Sequence, residues 1–153
     1  MRMMKRFTAA AAGVAALLAA GTLTAAPAQA SGVTGRGCTA YVYDYGGYSS
    51  CVGLIQRTLN GIAAVRGGSY GGYQLAVDNS FGYNTDTNVT RFQSYVGITA
   101  DGIVGSNTWY QLCRYAGSYS MYGRDGWYAA YDAGCIVEVP VGTGGGYYNI
   151  SRY

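Results

Sequence analysis

Two stretches, Asp78-Asn79-Ser80-Phe81-Gly82-Tyr83-Asn84-Thr85 and Asp101-Gly102-Ile103-Val104-Gly105-Ser106-Asn107-Thr108, repeat one another at an offset of 23 residues. Each copy has an Asp, a residue suited to positive φ, an apolar residue, a Gly, and then Asn-Thr. Asn tolerates the left-handed conformation better than other non-Gly residues, so Asn79 against Gly102 is a coherent exchange. The pattern predicts a tight turn in which Asp78 or Asp101 bonds local backbone amides. Phe81 or Val104 then enters the core, and Gly82 or Gly105 starts a helix. On this chemistry both Asp residues are turn formers rather than ligand contacts.

Helical patterns flank the repeat. Val52, Ile55, Leu59 and Ile62 recur at three- and four-residue steps, predicting an amphipathic helix from near Cys51 to near Gly61. Val89, Phe92 and Val96 mark a second helix that stops at Gly97. Trp109, Leu112 and Cys113 mark a shorter third that frays near Gly117. Trp127, Tyr128 and Tyr131 fall at helical steps before the strand-like run Cys135–Val141, which suggests a short fourth helix and then a strand. Glu138 in that run reads as a solvated strand position. Trp109 and Phe92, on apolar faces, are expected in the core.

The chain has 153 residues, at most one domain's worth. Arg2, Lys5 and Arg6, the apolar run to Leu23 and Ala28-Gln29-Ala30 have the layout of a secretory signal peptide over residues 1–30. A retained membrane anchor is the alternative, disfavoured by Gly13, Gly21 and Pro27. Residues 31–50 form a Gly/Tyr-rich segment, 51–115 the periodic domain, and 116–153 a Gly/Tyr-rich C-terminal extension. The formal charge of +3 rests on three leader cations, and beyond them seven Arg balance seven carboxylates. That neutrality gives no electrostatic case for nucleic acid or, after leader cleavage, for a membrane surface. Cys38, Cys51, Cys113 and Cys135 suit two disulfides in an exported chain, with three pairings open.

No His occurs anywhere in the chain. Ser-His and Cys-His nucleophilic sites and His-containing zinc sites are therefore excluded. Glycoside hydrolysis asks for paired carboxylates, and the sequence has one Glu. The expectation is no enzyme activity and no cofactor. No metal site is expected either, because Asp78 and Asp101 lack the further oxygen ligands of a calcium loop.

The series Val52-x-x-Ile55-Gln56-x-x-Leu59-Asn60, Leu75-x-Val77-Asp78-x-x-Phe81-Gly82-x-x-Thr85, Val89-x-x-Phe92-Gln93 and Gly97-Ile98-x-x-Asp101-Gly102-Ile103-Val104-Gly105-x-x-Thr108-Trp109 resembles the type 1 peptidoglycan-binding domain. The resemblance covers about 65 residues, Cys51 to Arg114, in order and with compatible spacing. It implies a mainly α fold, a small three-helix bundle with long structured loops, serving as a wall-targeting module of secreted bacterial proteins. If those helices run parallel as it implies, Cys51 and Cys113 lie too far apart to pair. The chain departs from the family pattern at Tyr83 and Ser106, where Pro is frequent, and at Asn79, where Gly is usual. The 63–74 loop is unusually Gly-rich, and no catalytic domain follows.

Peptidoglycan offers sugar faces, hydroxyls, amides and carboxylates, which aromatic rings, amides and Arg can meet. The candidate ligand residues beside the repeat loops are Tyr83, Asn84, Arg91, Tyr95, Asn107 and Tyr110. Gln56 and Gln93 recur at matching positions and are expected to cap loop backbone. The expected product is a monomeric, exported, wall-binding protein. A secreted inhibitor or protein-interaction module on the same fold is the first rival, and a hydrolase using an Asp pair the second.

Overall fold

The computed structural model describes residues 32–153, so the expected signal peptide lies outside the described residues. The elements in chain order are β1 (Gly32–Val33), α1 (Ser50–Arg66), α2 (Tyr83–Val96), α3 (Ser106–Ala116), α4 (Asp125–Ala133), β2 (Cys135–Pro140) and β3 (Tyr147–Ile150). The fold is mainly α, with four α-helices and one small sheet among the described residues. Strand β2 is the centre of that sheet and pairs antiparallel with both β1 and β3.

Helix α1 opens on Ser49, whose side chain accepts the Val52 N–H, leaving one fewer unpaired donor in the first turn. It buries Val52, Ile55, Leu59 and Ile62 on one stripe. Gly61 does not end it, because the helix runs on to Arg66. The reason is tertiary: Gly61 meets Gly126 of α4 so closely that a Cβ on Gly61 would lie 2.7 Å from the Gly126 Cα. Helix α4 is thus seated backbone to backbone on α1, with Arg57 ion-paired to Asp125 beside the contact.

Helices α2 and α3 each begin directly after a repeat turn, on an extended Gly82 or Gly105. Gly97 ends α2 in the left-handed region at φ 75°, while the Ile98 N–H bonds the Gln93 carbonyl. Phe81, Phe92, Val104, Trp109 and Leu112 fill the core between these elements. The aromatic members meet edge to face, as in Tyr70–Phe92 and Phe92–Tyr115.

The flanking segments are fastened by both disulfides, Cys38–Cys51 and Cys113–Cys135. The first ties the 37–40 turn to α1, and the second ties α3 to β2. Glu138 departs from the expectation of a solvated strand position. It is buried, and its carboxylate accepts the Tyr119 N–H, while its own carbonyl accepts from the Trp127 indole. The unpaired amide at the start of the 119–121 turn explains the burial, since a carboxylate satisfies it inside the fold.

Candidate functional site

The two repeat turns are built alike. Asp78 Oδ1 accepts the Ser80 N–H at 2.9 Å, and Asp101 Oδ1 accepts the Ile103 N–H at 2.9 Å. Asn79 has φ 63° and Gly102 φ 74°, so each turn places its second residue in the left-handed region.

A buried Gln spans each turn. Gln56 Nε2 donates to Asp78 Oδ1, the Ser80 carbonyl and Thr85 Oγ1, and its Oε1 accepts the Asp78 and Asn79 N–H groups. Gln93 Nε2 donates to Asp101 Oδ1, the Ile103 carbonyl and Thr108 Oγ1, and its Oε1 accepts the Gly102 N–H. Both amides are thus spent on loop backbone. The Gln56 bond and then the Ser80 amide hold the Asp78 carboxyl below its ordinary range. For Asp101 the Ile103 amide comes first and Gln93 second.

The N-terminal segment straps both turns at equivalent positions. The Phe81 N–H donates to the Gly47 carbonyl at 2.8 Å and the Phe81 carbonyl accepts the Gly46 N–H at 2.9 Å, while Tyr43 and Val104 form a two-way bridge. Tyr41 also receives the Trp109 indole N–H on its carbonyl. Apart from this strap, the turns present a rigid, self-satisfied backbone.

The candidate ligand residues divide into two groups. On α2, Asn84, Arg91 and Tyr95 follow one helix face. Tyr73, in the Gly-rich loop, joins the first two: its hydroxyl donates to Asn84 Oδ1 at 3.2 Å, and Arg91 lies 5.4 Å from its ring centroid. Arg91 also donates to the Gly71 carbonyl at 2.7 Å. Buried Asn88 holds this loop by bonding both the N–H and the carbonyl of Tyr73. Tyr95 is half-buried between Tyr70 and Tyr115, with centroids 6.0 and 5.8 Å away. Tyr83, in the first turn of α2, is 73% exposed.

A hollow of about 390 Å³ lined by Arg91, Ser94, Tyr95 and Ser69 lies on one side of the Tyr95–Tyr115 pair. A second of about 230 Å³, with Arg66, Arg114, Tyr115 and Ser118, lies on the other. Arg66 stands 5.6 Å from the Tyr115 centroid. The result is a ring platform edged by guanidinium and hydroxyl groups.

Asn107 and Tyr110 stand apart on α3. Asn107 lines a hollow of about 200 Å³ beside the second turn. Tyr110 faces β1, where a Cβ on Gly32 would come 4.0 Å from its ring. Tyr73 and Tyr115 belong to this surface, with buried Asn88 holding the loop from beneath, and none of the three was among the sequence candidates. Tyr73 sits in a loop without periodicity, and its only cue is a Tyr flanked by Gly71-Gly72 and Gln74.

Among the described residues no helix is long and apolar enough to cross a membrane, and no three His, Cys, Asp or Glu side chains gather as a metal site. No curated protein and no solved structure matches the chain. Residues 66–112 match the family model described as "Putative peptidoglycan binding domain". This match and the two disulfides fit an extracellular or cell-wall location. Over residues 66–112, less than half of its length, the chain is thus similar to the peptidoglycan-binding domain family.

Proposed function

We propose that the protein is a non-catalytic, exported, monomeric binder of bacterial cell-wall peptidoglycan. The observation that carries this reading is the family match over residues 66–112, which spans both repeat turns and the whole of α2. The ligand surface is assigned to α2 and its neighbours. Tyr95 and Tyr115 offer ring faces for sugar, Arg91 a guanidinium for carboxylate, and Asn84 an amide for acetamide. Tyr83 extends this surface at one end, and Asn107 and Tyr110 form a secondary contact on α3. The commitment of both repeat Asp residues to turn amides and a Gln supports the non-catalytic reading.

Co-sedimentation with purified insoluble cell wall tests the reading. The disulfide-bonded protein is expected to pellet well above an albumin control without releasing soluble muropeptides. Tyr95→Ala should weaken binding. Because the chain beyond residue 30 is formally neutral, raising salt should weaken pelleting only slightly. Failure to pellet refutes wall binding and favours a protein-interaction module, while release of muropeptides refutes the non-catalytic assignment.

A further inference from the structure

A groove of about 920 Å³ opens between the 35–43 segment, the first two turns of α1 and the tail at residues 152–153. Of its lining, only Val77 and Asn79 fall within the family-matched residues, so the flanking segments build it. Its size is that of a small-molecule or short-peptide site.

The floor is apolar, formed by Leu54 and the Cys38–Cys51 bridge. Tyr41 and Tyr153 stand on the rim, 66% and 49% exposed. Tyr153 lies against Gly37, where a Cβ would come 2.5 Å from its ring, and Gly37 also has φ 62°. The bare α-carbon there is what allows the ring to line the groove.

Its lining side chains include three guanidinium groups and one carboxylate, Asp132. Arg152 is paired with Asp132, and Arg57 with Asp125 outside the groove. The Arg36 side chain is exposed and has no partner among the described residues. The groove therefore combines an apolar floor, the rings of Tyr41, Tyr43 and Tyr153, and one planar cation, Arg36, without a partner among the described residues.

We propose that this groove binds the carboxylate end of a short peptide. Arg36 takes the carboxylate as a bidentate partner, and Tyr41, Tyr153 and Leu54 receive the terminal side chains. The site stands apart from the α2 surface and does not depend on it. Wall peptides and ordinary protein C-termini share this chemistry, and they differ in the handedness of their terminal residues.

The test is calorimetric titration of the disulfide-bonded protein with acetyl-trialanine, as free acid and as carboxamide, each in all-L and all-D form. At least one free acid should bind about tenfold more tightly than its amide. Arg36→Gln should erase that preference, and Arg124→Gln, a surface control, should keep it. Preference for the D acid assigns the groove to wall peptides, and preference for the L acid assigns it to protein C-termini. Equal binding of acid and amide, no saturable binding at millimolar concentration, or a preference surviving Arg36→Gln would overturn the proposal. Wall pelleting that persists in those cases sinks the groove alone and leaves the α2 surface standing.

Discussion

Gly61→Ala separates two accounts of the C-terminal region by the sign of its effect. In an exposed helix interior, Ala is favoured over Gly by about 1 kcal/mol. If α4 were a loose appendage, the variant would gain roughly that amount. The structure demands the reverse. The new methyl would lie 2.7 Å from the Gly126 Cα, 3.1 Å from the Gly126 nitrogen and 3.2 Å from the Met121 Cε. The methionine end can swing away, whereas the backbone of α4 can retreat only by separating the two helices. Overpacking of this kind costs typically about 1–3 kcal/mol, and contact with backbone puts this site toward the upper end. After the propensity gain is subtracted, a net loss of about 1–2 kcal/mol is expected. Urea unfolding of the disulfide-bonded protein, with far-UV circular dichroism as readout, measures it as a lowered midpoint at unchanged slope. Gly126→Ala should behave in the same way, since its Cβ would lie 2.9 Å from the Gly61 Cα. A midpoint equal to or above wild type in both variants would refute the close seating of α4 on α1.

Gln93→Ala removes four hydrogen bonds and leaves the buried Gly102 N–H without a partner, so a loss of about 2–4 kcal/mol is expected by urea titration. Thr58 is buried in α1, and its hydroxyl has no partner among the described residues. Thr58→Val should therefore be neutral or stabilise by up to about 1 kcal/mol, and a clear loss would show that the hydroxyl is paired. Asp101 is held below its ordinary value of 3.8 by the Ile103 amide and Gln93. Because the folded value is the lower one, its contribution is present above pH 3.8 and is lost as pH falls through the folded value. Asp101→Asn should accordingly differ most from wild type near neutrality and converge with it in acid, as read from thermal midpoints between pH 2 and 7 (about 2 to 7 brackets the carboxylate range). A gap independent of pH would remove the carboxylate from the argument.

Residue patterns made much of this fold legible. The apolar steps at Val52, Ile55, Leu59 and Ile62 lie on the buried stripe of α1, and Trp127 and Tyr131 lie on α4 as their spacing suggested. The recurrence of Gln56 and Gln93 after an apolar residue pointed to backbone capping, which is what both side chains do. The end of α1 was misread because Gly61 looked like a stop, when its role depends on Gly126, 65 positions along the chain. Alternation placed Glu138 in solvent because no local pattern reveals that the Tyr119 amide needs a buried acceptor. The α2 surface was partly legible: Asn84, Arg91 and Tyr95 share a helix face, but Tyr73 reaches them only through the folding of the Gly-rich loop around Asn88. The groove near Arg36 was invisible, since it joins segments that are distant in sequence and without periodicity.

The placement of the two sulfur bridges has a consequence for proteolysis. A single nick anywhere in 39–50 or 114–134 falls inside a bridged ring, so both fragments would stay covalently attached. A nick anywhere in 52–112, the Gly67–Ser69 turn included, lies between the rings, and there the halves would be held by packing alone. The 52–112 span is thus the covalent waist of the molecule. Fragments separating on a non-reducing gel would report a cut outside both rings, and fragments that separate only after reduction would report one inside a ring.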